Sequence, residues 1–226
     1  MKLNIPIPAI ERLTKLFSLL QKINNPAIKG KEGKDQISSA ELGSITGFQA
    51  HNVRKDISMI GALGSGKSGY NTESLESVIS NTFGFNKRKR VCVAGLDMLG
   101  AAMLNNPDAG SSEFEIIAGF DSNTNRMEMI STKIPLFHLY EIEEKVKELG
   151  IEYAIIAVTP ENAIKTAERL IAGGVKGILN FSPIIIAPIA APAAKNSVQI
   201  RNIYLVEELR LLSALVAANS QQVDKS

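Results

Sequence analysis

Val91-Cys92-Val93-Ala94-Gly95-Leu96-Asp97-Met98-Leu99-Gly100 is the stretch that decides how the larger part of this chain folds. Four small or branched apolar residues read as a buried strand, which runs into a glycine-flanked turn and then a helix. That is the opening unit of a Rossmann fold, a doubly wound α/β fold on a parallel sheet. Its fingerprint is Gly-x-Gly-x-x-Gly: the first glycine turns the chain, the second lets backbone approach a pyrophosphate, and the third lets helix pack on strand. Gly95 and Gly100 fill the first and third places, and Asp97 stands in the second. A carboxylate there adds bulk and negative charge at a helix N-terminus that otherwise favours anions. The expectation is a dinucleotide fold with weakened dinucleotide binding.

Downstream, a strand over 115–120 ends in Asp121, 21 residues past Gly100, the place of the acid that binds an adenosine ribose in NAD-type sites. A helix over 143–149, a strand over 153–158, a helix over 160–172 with Pro160 at its first position and a strand over 177–180 continue the alternation of a parallel sheet. Ligands of such sheets lie beyond the C-terminal strand ends. The expected cofactor is NAD(H). Its expected site comprises Gly95, Leu96, Asp97, Met98, Leu99, Gly100, Asp121, Ser122, Thr159, and the turn Asn180, Phe181 and Ser182 with Pro183. Residues 182–194, with Pro183, Pro188 and Pro192, read as an extended connection. The last helix, 204–218, carries Leu205, Val206, Leu209, Leu211, Leu212, Leu215 and Val216, too broad an apolar surface for one stripe, and predicts burial against a second subunit.

No catalytic set emerges. His138 lacks a relay partner and reads as structural. Cys92 is the only cysteine, which excludes a disulfide framework and a multi-cysteine zinc site, and its apolar neighbours make it a buried strand residue. No metal site is expected. No run of eighteen uncharged apolar residues and no signal-peptide start are present, so the expectation is a cytoplasmic protein that does not enter a membrane.

The part before the fingerprint is different in charge and pattern. Residues 1–90 carry 14 Lys and Arg against 7 Asp and Glu, whereas residues 91–226 carry 11 against 16. A basic front half is what a domain touching a polyanion requires. Residues 9–21 place Ile10, Leu13, Leu16, Phe17 and Leu20 on one helical face. Ser38-Ser39-Ala40-Glu41 is a capping box opening a short helix that stops by Gly43 or Gly47, and a third helix over 49–60 turns Val53, Ile57 and Ile60 inward. Three helices and a wing result, with a helix-turn-helix inside them. Asn52, Arg54 and Ser58 could reach base edges, and Lys55 phosphates. The glycine-rich stretch 61–70 permits a hairpin wing with Lys67 near its tip. Its Gly-Lys-Ser resembles a phosphate loop only superficially, since the preceding strand, the spacing and the following helix are missing. The expected domains are a winged helix over 1–84, a Rossmann domain over 85–203 and a dimerisation helix with tail over 204–226.

Several short motifs together give the chain a family likeness: Ser39-Ala40-Glu41-Leu42, Val53-Arg54-Lys55-Asp56-Ile57-Ser58, Gly69-Tyr70, Phe120-Asp121, and Lys176-Gly177-Ile178-Leu179-Asn180-Phe181 followed by Ser182-Pro183. On these it resembles the Rex family of redox-sensing transcriptional repressors, from about residue 5 to 218. The resemblance implies a homodimer on an inverted-repeat operator in double-stranded DNA, released by NADH and permitted by NAD⁺, with the C-terminal helix exchanged between subunits. It adds Ser39 and Tyr70 to the expected DNA-binding residues. The chain departs from the family at Asp97, at Met59-Ile60 where an aromatic pair is usual, and at Lys67, where the wing usually has an arginine. Ser18 and Tyr204 stand where the family has an arginine and aspartate pair that relays the ligand signal. The alternatives are a regulator whose NADH response is altered or lost, a nucleotide-binding module acting through protein partners, and an NAD-dependent oxidoreductase, which would need a substrate domain where the basic helices stand.

Overall fold

The computed structural model describes residues 4–25, 35–61, 69–105, 113–187 and 198–223. The chain separates into two compact units, residues 1–87 and 88–226.

In the first unit, α1 (Ile7–Asn24) buries Leu13, Leu16, Phe17 and Leu20. The expected capping box is formed: the Ser38 hydroxyl accepts from the Glu41 N–H at 3.1 Å while Glu41 accepts from the Ser38 N–H at 2.9 Å. It opens α2 (Ser39–Thr46), which ends at Gly47 in the left-handed region, φ 77°. Gly43 is needed for the turn that follows, because a Cβ there would meet the Phe48 carbonyl oxygen at 2.4 Å. Past the turn lies α3 (Ala50–Met59), which turns Val53 and Ile57 into the core.

The sequence reading of three helices is corrected to four. Asn71 caps α4 (Thr72–Phe83) by accepting from the Ser74 N–H, and Leu75 and Ile79 bury into the same core. Val78 and Phe83 pack against that core too, and the helix escapes notice because its remaining positions are Ser, Thr, Asn and Glu, mostly residues that by composition suggest loop as readily as helix. Two short strands, β1 (Gln36–Ile37) and β2 (Tyr70–Asn71), pair antiparallel at the base of the glycine-rich stretch. Residues 62–68 of that stretch, with Lys67, lie outside the described residues.

A buried ion pair crosses this core. Asp56, on the inner side of α3 and 1 % exposed, is held by Arg12 of α1 through Nε at 2.6 Å and a second guanidinium N–H at 3.0 Å. Pairing a buried charge so completely adds little net stability, but removing one partner strands the other.

The second unit is a six-stranded sheet with order β5-β4-β3-β6-β7-β8, every pair parallel. Its strands are β3 (Lys89–Ala94), β4 (Phe114–Asp121), β5 (Leu136–His138), β6 (Tyr153–Ile156), β7 (Gly177–Asn180) and β8 (Gln199–Asn202). Counted within the unit this is the 3-2-1-4-5-6 order of a dinucleotide-binding fold. Alternation along β3 divides the core: Cys92 and Ala94 face α7 (Ile142–Leu149) and α8 (Pro160–Gly173), while Val91 and Val93 face α5 (Met98–Leu104) and α6 (Thr124–Met129). The short α6, β5 and β8 were not anticipated: α6 and β5 are too brief for their periodicity to show, and β8, Gln-Ile-Arg-Asn, is polar and mostly exposed. Last comes α9 (Leu205–Val223), on which Leu205, Leu209, Leu212 and Val216 are each more than half exposed. Of residues 182–194, Pro188 and Pro192 lie outside the described residues.

Replacing Arg12 with alanine should destabilise the first unit by about 3 kcal/mol, the cost of stranding a buried carboxylate. Urea unfolding followed by circular dichroism measures it, and a loss below about 1 kcal/mol would show that Asp56 finds water instead.

Candidate functional site

Two surfaces carry the residues singled out from the sequence. In the first unit Arg54, Lys55 and Ser58 are exposed on α3, with His51 beside them, and Asn52 is half-buried at the edge of that face. Asn52 joins Gln49, Arg12 and Lys15 in lining a groove of about 380 Å³ between α1 and the start of α3. Ser39 begins α2 and is half-buried, as is Tyr70, which packs against the hydrophobic core. The helix thus presents a polar, cationic face while its other side is fixed by Val53, Asp56 and Ile57. A rigid helix displaying donors and cations suits reading base edges and gripping phosphates.

In the second unit the crevice opens where the sheet order reverses, between β3 and β6. The ends of β3, β4 and β6 bound a cavity of about 210 Å³ whose lining includes Gly95, Asp97, Asp121, Ser122, Arg126 and Thr159. Leu96 and Gly100 are buried in the turn's packing, whereas Met98 and Leu99 are exposed. Gly95 has φ 95°, and a Cβ there would touch the Ala157 carbonyl oxygen at 2.4 Å. Both fingerprint glycines therefore do what the fold asks of them.

Asp97 is the N-cap of α5, accepts from the Met98 N–H at 2.9 Å, and is 73 % exposed. Its carboxylate sits on the helix start where a pyrophosphate would be expected. Asp121 is buried and fully engaged by the N–H groups of Leu96 and Asn123 and by Arg126. Burial opposes its charge, but those backbone donors and the guanidinium outweigh it and hold the carboxyl below its ordinary pKa. The turn after β7 is structural in its side chains. Asn180 donates to the Ile184 carbonyl and to Asn202, and the Ser182 hydroxyl donates to the Val158 carbonyl. Phe181 is half-buried, and of this turn Pro183 reaches the cavity. Sequence reasoning missed Arg126; the available signal was a basic residue five positions after the acid.

His138 is spoken for. Its Nδ1 accepts from the Tyr140 N–H and its Nε2 lies 3.0 Å from the Ser122 carbonyl, which fixes the proton on Nε2. Cys92 is buried, and desolvation pushes its thiol up to about 12. Among the described residues no three His, Cys, Asp or Glu side chains stand together to hold a metal ion, and no helix is long and apolar enough to cross a membrane.

Residues 4–58 match the family model "Putative DNA-binding protein N-terminus", and residues 86–184 match the CoA binding domain. Over 218 residues the chain is 34 % identical to "Redox-sensing transcriptional repressor Rex 1" of Thermotoga maritima, covering 96 % of this chain and 98 % of the relative. The chain belongs to the Rex family. A Rex repressor of Listeria welshimeri is 35 % identical over 182 residues, 80 % of this chain and 82 % of the relative. Among solved structures, RSP, a Rex-family repressor, superposes with a TM-score of 0.79 at 26 % identity, over 98 % of each chain. RSP in complex with β-NAD⁺ and operator DNA does so with the same TM-score at 25 % identity, covering 98 % of this chain and 95 % of that one. Rex membership makes the chain a transcriptional repressor with an N-terminal DNA-binding domain and a C-terminal Rossmann-like domain, and sets aside the oxidoreductase reading.

Because the pKa of Asp121 is depressed, the folded protein binds fewer protons there than the unfolded chain. Its stabilisation is complete above about pH 4 and lost as pH falls below that range. The stability gap between the protein and an Asp121→Asn variant should therefore shrink as pH falls through about 4 and below in acid unfolding. A gap independent of pH would mean that the charge contributes nothing.

Proposed function

We propose that this chain works as a homodimeric repressor that docks α3 in the major groove of each half of an inverted-repeat operator and adjusts its grip to a dinucleotide held in the second unit. The observation that carries the reading is the exposed face of α3, with Arg54, Lys55 and Ser58 set on a helix whose inner side is locked by the Arg12–Asp56 pair. The operator complex of its relative RSP supports it. Arg54 and Ser58, with Asn52 at the edge, read bases; Lys55, Ser39, Tyr70 and Lys67 contact the backbone. As a DNA-bound regulator it acts in the cytoplasm.

The ligand is NAD(H), and its ratio of reduced to oxidised form is the signal. Gly95 turns the chain at its edge and Gly100 lets the start of α5 come up against it, Ser122 and Thr159 border it, and the turn at Asn180, Phe181 and Ser182 presents Pro183 to its far side. The cavity is smaller than the roughly 300–1,000 Å³ typical of ligand sites, so it encloses part of a dinucleotide and leaves the rest along the rim. Asp97 is the misfit: its charge opposes the pyrophosphate and lowers affinity relative to glycine.

Dimerisation falls to α9. Each leucine of its stripe would gain about 1.5–3 kcal/mol on full burial, and a second copy of the chain offers the matching surface. The exchanged helix and the domain limits at 84 and 203 belong to this reading.

Operator binding by Arg54→Ala should weaken by about 1–3 kcal/mol and lose discrimination at one base position, whereas Lys55→Ala should weaken all sequences alike and reduce the salt slope by about one. Fluorescence anisotropy on inverted-repeat and scrambled duplexes measures both; unchanged binding by Arg54→Ala would remove α3 from the groove. Sedimentation of a variant with Leu209→Glu and Leu212→Glu should report a monomer, and a persistent dimer would place the interface elsewhere.

A further inference from the structure

In a site made for an unmodified adenosine ribose, the acid at the end of the second strand accepts hydrogen bonds from the ribose hydroxyls. Asp121 has that position and no acceptor to spare. Its Oδ2 takes the Leu96 N–H at 2.7 Å and Arg126 Nη1 at 2.9 Å, while its Oδ1 takes the Asn123 N–H at 2.8 Å and the same guanidinium nitrogen at 3.2 Å. A carboxylate offers about four acceptor directions, and these contacts use them. The acid is 2 % exposed and its guanidinium partner 35 %. What faces the crevice at the end of β4 is a cation.

We infer that Arg126 sets which ribose the crevice accepts. A dinucleotide with a free 2′-hydroxyl reaches Asp121 only by displacing Arg126. One carrying a 2′-phosphate pairs with Arg126 where it stands, through the planar, charge-assisted contact that guanidinium makes with phosphate. Asp121 does not repel that phosphate as a bare acid would, because Arg126 neutralises it. The remaining carboxylate, Asp97, lies 4.0 Å from the other arm of the guanidinium and is exposed, so solvent and salt screen it. The preference for unphosphorylated dinucleotide that an open acid imposes is therefore cancelled in this chain. The inference rests on reading the crevice as a dinucleotide site.

The test is calorimetric titration of the full-length protein with NADH and with NADPH, alongside operator binding and thermal melting. NADPH should bind within about tenfold of NADH, and Arg126→Ala should shift the ratio at least about tenfold toward NADH, the size of one lost charge-assisted pair. Arg126→Gln, which keeps a donor against Asp121 without the charge, should retain NADH binding and lose NADPH. The inference is overturned if the unaltered protein prefers NADH by more than about tenfold, or if neither substitution moves the ratio, the fold being intact by melting. If NADH binds and only the ratio fails, the dinucleotide reading survives without this role for Arg126. If neither nucleotide binds while operator binding persists, both fall.

Discussion

Where β3 hands over to α5, a Cβ on Gly100 would sit 1.8 Å from the carbonyl oxygen of Gly95. No side chain survives that approach, so the two backbones meet directly and the helix lies close against the strand. The closeness has consequences outward. It turns Leu96 into the core on the α5 side and aims the Leu96 N–H at Asp121, across the pairing of β3 with β4. Asp121 in turn fixes Asn123 and Arg126 at the start of α6. One steric constraint thus places every charged group of the crevice, and a substitution at Gly100 would disturb ligand chemistry without touching a ligand.

The N-terminal unit depends on a different device. Its helices meet through leucine and isoleucine packing, which tolerates rotation, but a bidentate ion pair does not. Arg12 and Asp56 set the angle at which α3 presents its outer face, because two parallel hydrogen bonds allow one relative orientation of the two helices. Affinity for DNA would thereby depend on a carboxylate that never meets the DNA.

Periodicity and capping made most of the fold legible. The glycine-flanked turn, the Ser38 and Glu41 box and the alternation of strand and helix each obey a local rule, and each was found where its residues predict. Short buried strands such as β6 and β7 announced themselves by their apolar runs, but β1, β2, α6, β5 and β8 did not: they exist because longer neighbours hold them. The hidden helix α4 is a case of composition misleading, since its Ser, Thr and Asn residues suit turns while Leu75, Val78, Ile79 and Phe83 in fact recur at helical spacing. For the site, positions were readable and engagements were not. Asp121 could be placed at a strand end from its spacing, but that its acceptors are filled depends on Arg126, Leu96 and Asn123 converging in space.

The sulfur chemistry of the molecule has a practical side. Its single thiol is Cys92, in the middle of the central strand, fully enclosed and protonated at any physiological pH. Oxidants and alkylating reagents act on exposed thiolates, so a redox signal does not reach the protein through this cysteine. The same burial makes the native chain a silent background for labelling: one cysteine introduced on an exposed face of α3 or α9 would carry a fluorophore or spin label alone, leaving the strand beneath it unmodified.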